Sequence, residues 1–218
     1  MERIKRLGLK IAPAYGWLWV LIMLAVNAVA FQGTRLVNTW WKHYNLSLPI
    51  DSYFPLVKWF IIIYIPVAYA QWIYGFALSA REKKLTCKKI FTAEIIAKLM
   101  CMVCFLVMPT TMVRNDLTDT DLLSRWIQFV YDTDPADNLF PSIHCLESYI
   151  LTRCFFSKRI GMEHCPSWFK WISIPVTLLV FASTLYMRQH VFVDIIAAIV
   201  VSELGLLIST CYYRKHET

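Results

Sequence analysis

The sequence predicts an all-α, polytopic membrane protein: six transmembrane helices in one bundle, with both termini cytoplasmic. Three observations carry this reading. Hydrophobic residues make up 58% of the 218-residue chain and the mean hydropathy is +0.49, whereas a soluble domain is nearer half apolar. Charged residues are 17% against about a quarter in soluble chains. The apolar runs are continuous rather than alternating, which points to helices and away from a β-barrel. The formal charge of +7 does not form one patch. Its lysines and arginines lie between the apolar runs, as in cytoplasmic loops, so no nucleic-acid partner is expected.

A spanning helix needs roughly 20 apolar residues. Six segments approximate this: residues 12–31, 53–78, 90–112, 141–156, 168–187 and 190–213. The fourth carries His144, Glu147 and Arg153, so it must face other helices or a water-filled cavity. Trp40, Trp41, Tyr44 and Tyr53 in the first connection, with Trp168 and Trp171 beside the fifth helix, form an aromatic belt at headgroup depth. The connection 32–52 has room for a short interfacial helix. Residues 1–10 are basic, but no small-residue cleavage site follows the first apolar run; a retained helix is expected rather than a removed signal. There is no repeat or linker. Residues 1–218 read as one domain, with a catalytic core at about 90–213 and two N-terminal helices within 1–89.

Orientation follows from the cations. With the N-terminus inside, the termini and even-numbered loops hold Arg3, Lys5, Arg6, Lys10, Arg81, Lys83, Lys84, Lys88, Lys89, Lys158, Arg159, Arg214 and Lys215. The other side holds Arg35, Lys42, Arg114, Arg125 and Arg188, with Lys58 and Lys98 inside helices. The connection 114–139 is then external, and it is acidic: Asp116, Asp119, Asp121, Asp132, Asp134 and Asp137. Seven cysteines, most of them in or beside apolar segments, make no disulfide framework. Glu94 and Lys98 read as an ion pair on one helix face. Glu203, deep in the last helix, either pairs with Lys98 or is protonated.

This orientation collects the polar residues on one face. Arg114 ends the third helix. Pro141-Ser142-Ile143-His144 opens the fourth. Ser183-Thr184 precedes Arg188, His190 and Asp194 at the junction of the last two. Read as a helix, that junction puts His190 and Asp194 on one face, so the carboxylate holds one ring nitrogen and frees the other. A helix opening at Pro141 offers free amides and a positive dipole end to an anion. Ser142 adds a hydroxyl, and Arg114 can grip a phosphate through two donors. One histidine attacking phosphorus and a second protonating the departing oxygen is phosphoryl transfer. No cluster has metal-ligand spacing, so neither metal nor cofactor is expected.

These residues resemble the type-2 phosphatidic acid phosphatase superfamily of membrane lipid phosphatases and phosphotransferases. Its motifs are Lys-x6-Arg-Pro, Pro-Ser-Gly-His and Ser-Arg-x5-His-x3-Asp. The second matches Pro141-Ser142-Ile143-His144, and the third matches Ser183-Thr184, five residues, His190, three residues, Asp194. The first is reduced to residues 109–115 around Arg114. The resemblance implies His190 as the nucleophile forming a phosphohistidine, Asp194 as its orienting group, and His144 as general acid and later base. It implies Arg114 and Ser142 as phosphate ligands, and a six-helix core at the cell membrane facing outward. The family lysine falls at Val107, its proline at Asn115, its glycine at Ile143 and its third-motif arginine at Thr184. Arg188 either replaces one missing cation as a phosphate ligand or anchors at headgroup depth. The reduced pattern is similar to the inositol-phosphoceramide synthase-like branch.

Three functions are therefore expected in order. The first is a metal-independent phosphatase of a phospholipid or isoprenoid phosphate in the bilayer. The second is a phosphodiester headgroup phosphotransferase. The third is a catalytically inactive lipid-binding relative. Tyr186 and Glu147 are either site residues or packing, His43 and His164 are solvated loop residues, and the oligomeric state is open.

Overall fold

The computed structural model describes residues 12–114 and 117–215. The basic residues Arg3, Lys5, Arg6 and Lys10, with Asn115 and Asp116, lie outside the described residues, as does the Lys215 side chain. Seven helices make up most of the described backbone. They are α1 (Ala14–Asn38), α2 (Phe60–Arg81), α3 (Lys84–Val107), α4 (Leu122–Thr133), α5 (Ile143–Phe156), α6 (Ser167–Tyr186) and α7 (Phe192–Lys215). Extended pairing among the described residues is limited to a two-residue parallel ladder, β1 (Tyr44–Asn45) with β2 (Thr110–Thr111), and a single antiparallel bridge of Thr111 with Asp137.

Five of these helices, α1, α2, α3, α6 and α7, are long and apolar enough to cross a membrane. The chain is a multi-pass membrane protein. The expected fourth segment behaves differently. It folds as α5, with 14 residues, or about 21 Å against a hydrocarbon core of about 30 Å. It nevertheless lies lengthwise inside the bundle. At its start the Ser142 amide donates to the Asp194 carbonyl, 3.3 Å away. Beyond its other end, the Glu163 and His164 amides donate to the buried Glu82 carboxylate at 3.0 and 2.7 Å. Its residues Leu146, Ser148, Ile150, Leu151 and Cys154 are buried, and α2, α3, α6 and α7 all pack on it. Neighbouring protein, not lipid, receives its polar side chains.

The connections depart from expectation for local reasons. No separate interfacial helix forms in 32–52, because α1 continues through a π turn at Val29–Gly33 to Asn38. A 3-10 turn at Pro49–Tyr53 follows. α2 starts at Phe60 rather than near 53, since Pro55 biases the residue before it toward extended backbone. Inside α2, Pro66 removes one amide from the ladder, and the backbone answers with a π turn at Ile63–Val67. The connection 114–139 contains α4, which was not expected. Leu123, Ile127 and Val130 recur at helical spacing, and Asp121 caps the start by accepting from the Leu123 and Ser124 amides.

Of the ion pairs read from the sequence, Glu94 with Lys98 forms and Glu203 with Lys98 does not. Lys98 is fully buried and bridges α3 to α5, with Nζ 2.6 Å from Glu147 and 3.4 Å from Glu94. Glu203 does not reach Lys98; it accepts from Arg153 at 2.7 Å and from the Tyr149 hydroxyl at 2.7 Å. His164 is not simply solvated, since its Nδ1 lies 3.2 Å from Glu82. All seven thiols are free. Burial pushes the Cys165 thiol, just before α6, up to about 11.

Two glycines set the closest helix contacts. A Cβ on Gly205 of α7 would stand 2.5 Å from the Ala93 carbonyl of α3, and one on Gly16 of α1 would stand 2.1 Å from the Ala80 carbonyl of α2. Backbone atoms cannot swing aside as a side chain does. Gly205→Ala is therefore expected to cost about 1–3 kcal/mol and lower the thermal midpoint in detergent by several degrees. Gly33→Ala, whose Cβ meets nothing closer than 3.7 Å, leaves that midpoint unchanged.

Candidate active site

The His190 ring is positioned by a chain break. α6 ends at Tyr186, and the Met187 amide closes the last turn on the Ser183 carbonyl at 2.8 Å. The Gln189 and His190 amides then both donate to the Thr184 carbonyl at 2.9 and 3.1 Å, with Arg188 at φ +52°. α7 begins only at Phe192, so His190 lies outside both helices. The expected helical stacking of His190 on Asp194 is not what brings them together. Asp194 stands in the first turn of α7, and its Oδ2 reaches back to accept from the Val191 amide at 3.0 Å. That same oxygen lies 3.1 Å from His190 Nδ1. A carboxylate at a helix start satisfies an amide lacking an intrahelical partner and orients the imidazole in one act. Asp194 is fully buried and His190 is 8% exposed.

A second carboxylate, absent from the sequence reading, completes this cap. Asp51 accepts from the Phe192 amide at 2.7 Å through Oδ1 and from the Leu48 amide at 2.6 Å through Oδ2. It thereby ties the connection between α1 and α2 to the start of α7. Arg188 Nη1 donates to the Asp51 carbonyl at 3.0 Å and the Phe54 carbonyl at 3.4 Å. The available signal was an aspartate two residues after Pro49, a turn-forming pattern.

His144 arrives from α5. Ser142 is the N-cap, its Oγ accepting from the Cys145 amide at 3.3 Å, as this residue type at a helix start should. The preceding segment is pinned on both sides. Asn138 accepts from Asn38 at 2.7 Å, and the Leu139 and Phe140 amides donate to Thr110 Oγ1 at 2.9 Å each. The imidazole stacks on Tyr64, with centroids 4.4 Å apart and 23° between planes, and the Tyr64 hydroxyl lies 3.3 Å from Nδ1. Both histidines thus have Nδ1 engaged and Nε2 available. Their ring centroids are 6.1 Å apart. Reacting atoms stand about 3–3.5 Å apart in a near-attack arrangement, so rings this close can both bear on one small group bound between them.

Between the rings lies a cavity of ≈ 60 Å³ lined by His144, His190, Gln189, Asn27, Asp134 and Asp137, among others. It exceeds the ~10–15 Å³ that one water needs. The other residues predicted for phosphate stand behind this wall. Arg114 donates to the Gln189 amide oxygen, to the Asp134 carbonyl at 2.7 Å and to the Arg188 carbonyl at 3.3 Å, and its guanidinium lies 4.5 Å from the Tyr131 ring centroid. Burial pulls its pKa down, opposed by Asp134; arginine remains a cation at neutral pH regardless. Ser142 is fully buried and spent on its cap. Arg188 turns toward the Asp51 loop. Tyr186 stacks on Phe60, centroids 4.8 Å apart, and does not line the cavity. Arg35 binds two acidic residues of the cavity wall, Asp137 at 2.7 Å and Asp134 at 3.3 Å. Among the described residues no group of three or more His, Cys, Asp or Glu side chains is placed to hold a metal ion.

α4 covers this end of the bundle. Its Tyr131 hydroxyl donates to the Met187 carbonyl at 2.9 Å, and Lys58 holds Asp119 and Asp121 at its start, each at 2.5 Å. The Lys58 ammonium and the Ser124 hydroxyl hold the Asp121 carboxyl well below the usual carboxylate range.

Fold and site together define a multi-pass membrane protein with paired imidazoles over a small polar cavity at one bundle end. The chain belongs to the PAP2 superfamily, whose family model matches residues 89–217. Membership implies a membrane phosphatase or phosphotransferase. No curated protein and no solved structure matches the chain.

Because Asp51 caps two amides across two connections, Asp51→Ala is expected to cost about 1–2 kcal/mol and free the loop at 187–191. Hydrogen exchange at the Phe192 amide should accelerate in the variant, while exchange in the centre of α3 stays at the wild-type rate.

Proposed function

We propose that the protein hydrolyses a phosphomonoester or diphosphate lipid at the extracytoplasmic face through a phosphohistidine on His190. The observation that carries this reading is the 6.1 Å pairing of the His144 and His190 rings, each with its Nδ1 already held. His190 Nε2 attacks phosphorus and the bond from phosphorus to the lipid oxygen breaks. His144 gives that oxygen its proton. Water then attacks the phosphohistidine, His144 takes the water proton, the P–N bond breaks and phosphate leaves. Asp194 keeps His190 in the tautomer with Nε2 free and stabilises the charge that develops on the ring. The Ile143 and His144 amides at the start of α5, whose residues line the cavity, bear on the phosphoryl oxygens. Arg114 contributes its charge through the Gln189 wall, and Arg188 braces the loop. No step uses a metal.

The extracytoplasmic assignment rests on charge. Arg81, Lys83, Lys84, Lys88, Lys89, Lys158, Arg159 and Arg214 gather at the end remote from the histidines, the pattern of a cytoplasmic face. Counting α5 as a sixth crossing then puts both termini on that side, at the cell membrane.

One observation favours the headgroup phosphotransferase as second reading. Asp134 and Asp137 line the cavity, and Arg35 is committed to both. Carboxylates beside an oxyanion oppose a dianionic monoester more than a singly charged diester. An acceptor alcohol would replace water in the second step.

Assay of phosphate release from a panel of lipid phosphates, with EDTA present, tests the proposal. Release is expected to persist in EDTA. His190→Ala should reduce it to background, and His144→Ala by about 10²–10⁴-fold. Exchanged lipid from diesters without phosphate release would transfer the conclusion to the second reading. Turnover that survives His190→Ala contradicts both.

A further inference from the structure

A second cavity, of ≈ 360 Å³, lies between α1, α2 and α5. Most of its wall is apolar, including Trp17, Val20, Leu24, Ile73 and Phe76. Asn27, Ile143 and His144 line both cavities, so the two meet at the His144 ring. The volume falls in the range of small-ligand sites, about 300–1,000 Å³.

Two polar groups in this wall are unexplained by the fold. Asn27 Oδ1 and Glu147 Oε2 are buried and accept no hydrogen bond. Glu147 is 6% exposed, and its other oxygen is taken by Lys98 at 2.6 Å. Lys98 also faces Glu94 at 3.4 Å, so two carboxylates share one ammonium. An acceptor left bare in a low-dielectric interior is costly, the more so when charged. Both atoms ask for a donor, and the cavity beside them is where one would arrive.

We propose that this cavity takes the hydrocarbon chain of the substrate, and that Asn27 Oδ1 and Glu147 Oε2 accept hydrogen bonds from an uncharged donor carried by the lipid close to its phosphate. The assignment rests on the reading of the histidine site as a lipid-phosphate site. His144 and Glu147 stand one turn apart on α5, about 4.5 Å along the axis, so the donor lies a few bonds from phosphorus. The substrate class follows: a lipid with a free hydroxyl or an amide N–H between phosphate and chain. A diacyl backbone presents only ester acceptors there and would set oxygen against oxygen. An isoprenyl phosphate presents neither donor nor acceptor.

The test measures binding apart from turnover. The full-length His190→Ala protein in detergent is loaded with a fluorescent lipid monophosphate, which is then displaced by either of two competitors. One is 1-oleoyl lysophosphatidic acid, with its sn-2 hydroxyl free; the other is the same lipid with that hydroxyl methylated. The free hydroxyl should bind about tenfold tighter or more, the scale of a donor lost to a buried charged acceptor. Glu147→Gln and Asn27→Ala, added separately, should each shrink the gap; Asn27→Ala leaves the Lys98 pairs in place and serves if Glu147→Gln does not fold. Equal affinities for the two lipids would overturn the proposal, as would a gap that both substitutions leave intact. The second result would mean that a proton shared by Glu94 and Glu147 already fills Oε2. Absence of turnover on every lipid phosphate in the wild type, with the hydroxyl preference intact, would refute the hydrolase reading and leave this one standing.

Discussion

The Asp194 carboxylate does two jobs with one oxygen, and the candidate site depends on that economy. Oδ2 accepts from the Val191 amide and orients His190 Nδ1. Helix start and imidazole are therefore fixed by the same group. Asp51 adds a second tie from the connection between α1 and α2 by capping the Phe192 amide, and Arg188 closes the loop over the Asp51 and Phe54 carbonyls. A ring so held offers one nitrogen in one direction. Without the cap, the segment between α6 and α7 would keep its bonds to Ser183, Thr184 and Tyr131, but the imidazole would lose the group that fixes its direction toward His144. Placing the pair at a helix terminus also limits the electrostatic cost, because the amides there favour negative charge.

Much of the fold was legible because lipid imposes a simple rule on composition. The helices that became α1, α2, α3, α6 and α7 were visible as apolar runs, with their ends displaced by local chemistry such as Pro55 before α2. α5 was visible as a segment but not as a short one. Its His144, Glu147 and Arg153 announced burial in protein, yet nothing in one sequence says how far neighbouring helices extend past it. α4 was missed because its apolar period is embedded in a strongly acidic connection. Charge dominated that reading, although Asp121 followed by Leu123, Ile127 and Val130 carried the signal of a capped amphipathic helix.

The site divides in the same way. The motif spacing singled out His144, His190 and Asp194, and the fold brings those three together. The roles expected of the cations were less legible, because an arginine's reach permits many partners. Arg114 lies behind Gln189, and Arg188 faces a loop whose path no motif encodes. Asp51, Tyr64, Asn27 and Gln189 could not be chosen from sequence. Asp51, Tyr64 and Gln189 bond partners more than 70 residues away, namely Phe192, His144 and Arg114, and Asn27 meets His144 only in the walls of the two cavities. Glu203 paired with Arg153 rather than Lys98, since Glu147, one turn into α5 from His144, had taken that place.

The central claim is that His190 becomes covalently phosphorylated. It is tested most directly by mixing the protein with a lipid phosphate labelled on phosphorus, quenching in alkali within a turnover, and mapping the label by peptide mass spectrometry. The account predicts an acid-labile phosphoryl group on the His190 ring, absent from His190→Ala. A label on any other residue, or hydrolysis with no covalent intermediate at any quench time, would contradict it.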